Sequence, residues 1–247
     1  MNRKVSTRKT LEILDLYSLD TRELSVPQIS EMMDIPQSSV YRYIRILKEK
    51  KYLAETSRGT YQLGLRFLEM SNFINLNNEL SLAAGPIMRQ LTNETQETTV
   101  LVILSGLQAI CIENISSSFH MVKVSSEPGK YIPLYAGASS KAILAYMGNE
   151  AVNKLFKYGV VRRHTANTIT EKEALLQNLK KIRENGYAES DNELDEGVYT
   201  YAVPIFSGTT VLGSLSIAGP RERMIAKDKE ALIASLKEAA LQIQHNL

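Results

Sequence analysis

Residues 36–66 read PQSSVYRYIRILKEKKYLAETSRGTYQLGLR, and this stretch decides the fold of the N-terminal part of the chain. At about 100° per residue, a helix from Gln37 to about Lys50 would separate apolar from polar side chains. The side predicted to be buried consists of Val40, Tyr43, Ile44 and Leu47. The opposite side consists of Ser38, Arg42, Arg45 and Glu49, with Tyr41 at its margin. One face can therefore pack on a small core while the other presents hydroxyls and guanidinium groups.

The segments on both sides of this helix predict a winged helix-turn-helix. A first helix is expected over Thr7–Tyr17, with Leu11, Ile13, Leu14 and Leu16 on its apolar face. Ser25 can cap a second helix that has Pro27 in its first turn. After the basic helix, Tyr52–Thr56 and Thr60–Leu63 look like short strands joined by the turn Ser57-Arg58-Gly59. A further helix, Leu65 to about Asn77, would link two domains.

The basic charge is concentrated in the same stretch. Residues 1–78 hold 12 basic and 9 acidic side chains, whereas residues 79–247 hold 17 and 18. Between Pro36 and Arg66 there are seven basic residues and only two acidic ones, a net charge of +5. A local cluster of this kind is typical of a nucleic-acid-binding surface, although a solvated helix face of any α-helical domain would show it too.

These residues predict how the domain would contact DNA. Arginine can bond guanine O6 and N7 in the major groove, and serine hydroxyls at the start of a helix can reach phosphate or base edges. Arg58, at the tip of the hairpin, could reach the adjacent backbone or minor groove. The predicted DNA contacts are Gln37, Ser38, Ser39, Tyr41, Arg42, Arg45 and Arg58.

Composition restricts the class of protein. The 247 residues have a net charge of +2, with 44% apolar and 23% charged residues, as in ordinary globular proteins. The single cysteine, Cys111, cannot form an internal disulfide, which fits a reducing compartment. No apolar run reaches the roughly 18 residues of a membrane span, and the N-terminus lacks the pattern of a signal peptide. We therefore expect a cytoplasmic protein with no membrane partner.

The C-terminal part is predicted to be a sheet with packed helices. Strands are expected at Thr98–Leu104, Gln108–Ile115, Met121–Ser125, Val198–Phe206 and Thr210–Ala218. Helices are expected at about 81–95, Lys141–Met147 after a Ser139-Ser140 cap, Glu171–Asn185 and about 227–244. The acidic run Glu189–Glu196 contains paired carboxylates that could do acid/base work, but without a partner nucleophile or base it is expected to be a solvated loop bordering a pocket. Alternating strands and helices favour a single sheet covered by helices.

Catalytic and metal-binding patterns are not found in the sequence. The three histidines, His120, His164 and His245, are far apart and have no neighbouring ligand, so we expect no metal. There is no nucleophile elbow, phosphate loop or dinucleotide fingerprint, so we expect no cofactor and no enzymatic activity. Cys111, within an apolar strand, is expected to be a core residue.

Three separate motifs resemble the IclR-type family of transcriptional regulators. They are Pro-x-Ser-Ser-Val-x-Arg at Pro36–Arg42, IPLYAGASSKAILA at Ile132–Ala145, and ELDEGVYTYAVPIFSGTTVLGSLSIAGP at Glu193–Pro220. The wing ending Tyr-x-Leu-Gly at Tyr61–Gly64 also matches. The resemblance covers nearly the whole chain, and the ordered set of motifs is more specific than any one of them.

The resemblance implies an α+β, or α/β, two-domain protein. It would have a winged helix-turn-helix at 1–64, a linker helix at 65–78 and a GAF-like effector-binding domain at 79–247. It implies a ligand-responsive regulator, with a repressor favoured, that binds a palindromic DNA operator as a homodimer or homotetramer. The first helix and the linker helix would form the dimer contacts.

The resemblance also implies a pocket for a small organic acid or related metabolite. The matching positions are Met121, Val124, Ile132, Ala138, Ser139, Ser190, Asp191, Val198, Thr200 and Ser216. The chain departs from the common pattern at three positions: Ser140 replaces the usual Gly, Thr200 a frequent Cys, and Ala218 a frequent Ser. The alternative is a metabolite-binding protein or enzyme whose N-terminal helices only mediate oligomerisation. Turnover of a small acid without DNA binding would favour that alternative.

Overall fold

The computed structural model describes residues 3–18, 20–76, 79–117 and 127–247. The chain divides into two compact units, Met1–Asn77 and Asn78–Leu247, called the N-terminal and C-terminal units below. The predicted strand Met121–Ser125 and His120 lie outside the described residues.

The N-terminal unit follows the predicted order of helices and hairpin. It consists of α1 (Arg3–Glu12), a 3₁₀ turn (Leu14–Leu16), α2 (Val26–Met33), α3 (Gln37–Glu49), β1 (Leu53–Glu55), β2 (Tyr61–Leu63) and α4 (Arg66–Leu76). The prediction that the first helix continues to Tyr17 was wrong, because regular α-helix ends at Glu12. Leu11, predicted on its apolar face, is 59% exposed.

The start of α2 is fixed by local chemistry. Ser25 lies in extended backbone, and its Oγ accepts a hydrogen bond from the Gln28 N–H, while the Gln28 side chain accepts from the Ser25 N–H. This is a reciprocal capping box, and Pro27 follows within the first turn. The predicted capping role of Ser25 is therefore confirmed.

At the other end of α2, the turn into α3 uses Asp34 in the left-handed region, at φ 50°.

The hairpin packs against the helices through one glycine. Leu53 pairs with Leu63 and Glu55 with Tyr61, and Leu24 adds a bridge to Tyr61. A Cβ at Gly64 would lie 2.1 Å from the carbonyl oxygen of Lys51, so no other residue fits without a backbone shift. The wing is thereby held close to the end of α3.

The C-terminal unit is a mixed α/β domain. Its helices are α5 (Glu79–Thr95), α6 (Ala138–Leu144), α7 (Asn149–Lys157), α8 (Lys172–Asn185), α9 (Arg221–Ala226) and α10 (Lys229–His245). Its strands are β3 (Thr98–Ser105), β4 (Gln108–Ile115), β5 (Tyr131–Pro133), β6 (Ala188–Asp191), β7 (Val198–Ser207) and β8 (Thr210–Pro220). The strands form one antiparallel sheet in the order β5-β4-β3-β8-β7-β6.

The two faces of this sheet are covered by different helices. On one face, Leu101, Tyr201 and Leu215 pack with residues of α5 and α10. On the other face, Val100 and Ala202 pack with residues of α6, α7 and α8. Successive residues of a strand point to opposite faces, so each of these strands supplies both cores.

The structure corrects two local predictions. Ser139 and Ser140 do not cap α6: the helix begins at Ala138, its N-cap is Gly137, and no side chain caps it. The acidic run Glu189–Glu196 borders the cavity as expected, but it is not wholly a solvated loop, since residues 189–191 belong to β6 and Glu193 is buried. In both cases tertiary contacts outweighed the local preference of serine for caps and of acidic residues for solvent.

Candidate nucleic-acid interface and ligand cavity

Helix α3 separates a buried face from an exposed one as its periodicity predicted. Its buried residues are Val40, Tyr43, Ile44 and Leu47, which confirms the predicted set. They pack with Ile13 and Ile29 in the core of the N-terminal unit. The core fixes the rotation of the helix, and the opposite face is left to solvent.

The exposed face carries most of the predicted DNA contacts. Gln37, Ser38, Arg42 and Arg45 are exposed, Tyr41 is 57% exposed, and Ser39 is half-buried. The Arg42 guanidinium lies 5.1 Å from the centre of the Tyr43 ring and donates a hydrogen bond to the Tyr43 hydroxyl at 3.3 Å. The neighbouring aromatic residue thus restricts the Arg42 side chain.

The hairpin places Arg58 at its exposed tip. Gly59 adopts φ +73°, and its N–H donates to the Thr56 carbonyl oxygen, which closes the turn. The Thr56 and Thr60 hydroxyls are 2.7 Å apart across the hairpin. These contacts hold the turn that carries Arg58.

Several basic residues of this stretch pair with carboxylates. Lys48 pairs with Glu55, and Arg66 pairs with Glu69 at 2.7 Å. The hydrogen bond that Lys48 donates to the Glu55 carboxylate raises the pKa of Lys48 above its usual value. Part of the basic charge counted in the sequence is therefore paired with neighbouring carboxylates on the surface.

A cavity of about 440 Å³, counted with its open mouth, lies on the α6 side of the C-terminal sheet. The described residues that line it are Val100, Ile132, Ala136, Gly137, Ala138, Ser139, Ser140, Ser190, Glu193, Leu194, Asp195, Val198, Thr200, Ser216 and Ala218.

The floor of the cavity is built by strand register. Ser190 of β6 pairs with Thr200 of β7, which pairs with Ala218 of β8. Two residues before Ala218 on β8, Ser216 pairs with Val100 of β3. The side chains of these residues point to one face because alternate residues of a strand share a face.

Helix α6 covers the floor through hydroxyl contacts. The Ser139 Oγ donates to the Ser216 Oγ at 2.9 Å, and the Ser214 Oγ donates to the Ser139 carbonyl oxygen at 2.8 Å. The chain enters α6 through Gly137 at φ +79°, where a Cβ would lie 2.6 Å from Leu194. Only glycine fits this approach readily.

A buried ion pair supports one wall of the cavity. The Lys141 side chain is fully buried, and its Nζ donates to a Glu193 carboxylate oxygen and, at 3.3 Å, to the Glu189 carbonyl oxygen. The other Glu193 oxygen accepts from the Gly137 N–H at 3.1 Å. The Thr168 hydroxyl donates to the Glu193 carbonyl oxygen at 2.8 Å. The sequence placed Glu193 only within an acidic run expected to border the pocket, and its pairing with Lys141, 52 residues away, was not predicted.

The structure brings seven of the ten predicted effector positions to the cavity: Ile132, Ala138, Ser139, Ser190, Val198, Thr200 and Ser216. Asp191 does not line it, because its carboxylate pairs with Arg221 at 2.7 Å and 3.0 Å. Met121 and Val124 lie outside the described residues. Ser140 and Ala218, noted only as departures from the family pattern, also line the cavity.

The described residues offer little sign of a nucleophilic cysteine or a metal site. Burial raises the pKa of the Cys111 thiol to about 12, which makes it a poor nucleophile. Within the described ranges, no group of three potential ligands could hold a metal ion. No helix in the same ranges is long and apolar enough to cross a membrane.

Comparisons with known proteins agree with this architecture. Residues 6–57 match the IclR helix-turn-helix domain, and residues 76–245 match the bacterial transcriptional regulator IclR C-terminal family. The HTH-type transcriptional regulator KipR of Bacillus subtilis (strain 168) is 30% identical over 247 residues, 100% of this chain and 98% of KipR. The HTH-type transcriptional repressor AllR of Salmonella typhi is 28% identical over 202 residues, 81% of this chain and 74% of AllR.

A solved structure shows the same fold over nearly the whole chain. It is an IclR homolog from Microbacterium hydrocarbonoxydans complexed with 4-hydroxybenzoate. Its TM-score is 0.87 at 23% identity, over 98% of each chain.

Proposed function

We propose that this chain, which belongs to the IclR family of bacterial DNA-binding transcriptional regulators, represses genes by reading an operator with α3 and releases it in response to a small molecule. Family membership confirms the predicted resemblance, and with it the expectation of a regulator rather than an enzyme.

The observation that carries the proposal is the polar face of α3. Arg42 and Arg45 are three residues apart on an exposed face, while the four opposite residues are locked into the core. A helix held in this way can enter the major groove, where each arginine can bond a guanine. Gln37, Ser38, Ser39 and Tyr41 would add phosphate or base contacts near the start of the helix, and Arg58 would contact the adjacent backbone or minor groove.

Exposed apolar residues of the N-terminal unit support a homodimer or homotetramer. Leu11 of α1 is 59% exposed, Leu65 74% and Leu68 of α4 63%. Burying such side chains between copies would stabilise an assembly. A twofold dimer would place two α3 helices in successive major grooves of a palindromic operator. Action on DNA would place the protein in the cytoplasm.

The cavity supports control by a small organic acid or related metabolite. It lies on the face of the sheet where the predicted positions meet, and the similar Microbacterium structure contains a small organic acid. The name of AllR supports repression. A ligand that binds one conformation of the protein more tightly than another would shift the fraction bound to DNA.

The assignment of α3 as the DNA-contacting helix is tested with an operator that the wild-type protein selects from random double-stranded DNA. Arg42→Ala and Arg45→Ala should each weaken binding by about 1–3 kcal/mol and relax the sequence preference at one position. Arg89→Ala, a control at an exposed position of α5, should bind as wild type. If both α3 variants bind like the wild type, the assignment of α3 is wrong.

A further inference from the structure

The polar part of the cavity lining is rich in hydrogen-bond acceptors. It contains two carboxylates, Glu193 and Asp195. It also contains the hydroxyl residues Ser139, Ser140, Ser190, Thr200 and Ser216. Among the described lining residues there is no lysine, arginine or histidine, so this part of the wall offers no cationic side chain to a ligand.

Hydrogen bonds within the wall commit two of the available protons. Each serine hydroxyl has a single proton to donate. The Ser139 hydroxyl donates to Ser216 at 2.9 Å, and the Ser216 hydroxyl donates to the Val100 carbonyl oxygen at 3.2 Å. In this arrangement, the oxygens of Ser139 and Ser216 can only accept hydrogen bonds from an occupant.

Glu193 adds a further acceptor. An ionised carboxylate has about four lone-pair sites and no proton to give. Lys141 occupies one oxygen and the Gly137 N–H the other, which leaves lone pairs on a side chain that lines the cavity. The Lys141 charge offsets that of Glu193, so a neutral hydroxyl group is a suitable donor to it.

Ser140 has an unsatisfied hydroxyl at the same place. The residue is fully buried and lines the cavity, and its Oγ has no hydrogen-bond partner among the residues that the structure describes. A buried polar atom without a partner is energetically costly. An occupant with a hydrogen-bonding group at this point would recover that cost, whereas an apolar occupant would leave it in place.

We propose that the effector is a polyhydroxylated small molecule whose hydroxyl groups donate hydrogen bonds to Ser139, Ser216 and Glu193. Ser140 forms a hydrogen bond with one of these hydroxyl groups and thereby determines specificity. This inference rests on the proposed role of the cavity and does not depend on α3. A hydroxylated acid, such as a sugar acid, meets both this requirement and the proposed ligand class. An unsubstituted acid of the same length meets only the second.

The test compares probes that share a carbon skeleton. Intact protein is titrated calorimetrically with D-gluconate, hexanoate and D-glucitol. We expect D-gluconate to bind at least about tenfold more tightly than hexanoate, which corresponds to about 1.4 kcal/mol. The inference is overturned if hexanoate binds as tightly as, or more tightly than, both hydroxylated probes, or if none of the three binds.

The third probe separates this inference from the proposed organic acid. If D-glucitol binds and D-gluconate does not, the hydroxyl requirement stands and the organic-acid assignment fails. If hexanoate alone binds and releases operator DNA, the regulator stands and the hydroxyl requirement fails.

The role of Ser140 is tested with Ser140→Ala and Ser140→Gly, which remove the hydroxyl without adding volume. Each should lower D-gluconate affinity about tenfold and leave hexanoate affinity unchanged. The control is Thr92→Val, since the Thr92 hydroxyl is buried against Thr99 and does not line the cavity. Unchanged D-gluconate affinity in the Ser140 variants, or an equal loss for both acids, would remove Ser140 from ligand recognition.

Discussion

The exposed face of α3 and the cavity of the C-terminal unit use similar side chains in opposite surroundings. Ser38, Arg42 and Arg45 lie on the surface, where water satisfies them and the core behind them supplies the stability. Ser216 and Lys141 are buried, so their partners must come from the protein. Polar residues of the first region can be changed at little cost to folding, whereas those of the second hold their own surroundings together.

The largest expected difference is in the free energy of unfolding of variants at two lysines. Lys141→Met leaves the buried Glu193 carboxylate without its cation, and breaking a buried pair costs about 3–5 kcal/mol. Lys48→Met breaks the exposed pair with Glu55 and should shift unfolding little, because water screens that pair. Urea unfolding of the intact protein measures both. The double variant Lys141→Met with Glu193→Gln should recover part of the loss. If Lys141→Met and Lys48→Met lower the free energy of unfolding by similar amounts, the contrast is refuted.

A smaller difference is expected between two serines. Ser216→Ala removes a hydroxyl that accepts from Ser139 and donates to the Val100 carbonyl oxygen, and should cost about 1–3 kcal/mol of stability. Ser38→Ala, on the exposed face of α3, should stay within about 0.5 kcal/mol of wild type but weaken operator binding. Thermal unfolding and DNA titration of both variants give the comparison. A stability loss at Ser38 that matches the loss at Ser216 would contradict it.

The smallest effect is expected at the tip of the hairpin. If Arg58 contacts a phosphate, Arg58→Ala should weaken binding to all DNA sequences alike and reduce the slope of log affinity against log salt by about 1. Its thermal stability should match that of wild type, since Arg58 is exposed. Affinity measured at several salt concentrations tests this, and a change confined to one operator position would indicate base recognition instead.

Sequence reasoning was most successful where one helix carried the signal. The four buried residues of α3 follow from a 3.6-residue period, and the cap of α2 follows from Ser25 and its neighbours. It failed at Ser139-Ser140, where local preference indicated a cap, and in part at the acidic run, whose first three residues belong to β6 and whose Glu193 is buried. At those positions the deciding partners, Ser216 and Lys141, are 77 and 52 residues away along the chain.

The sequence by itself therefore determined the two faces of α3 and the family. Periodicity, capping and charge act between residues a few positions apart, and the motifs resemble those of known regulators. Only the tertiary structure decided the cavity. Strand register brought Ser190, Thr200 and Ala218 into one row, and the approach of α6 turned Ser139 toward the sheet. These contacts join distant segments, and the free energy that favours them comes from burying and pairing groups that local sequence cannot identify as partners.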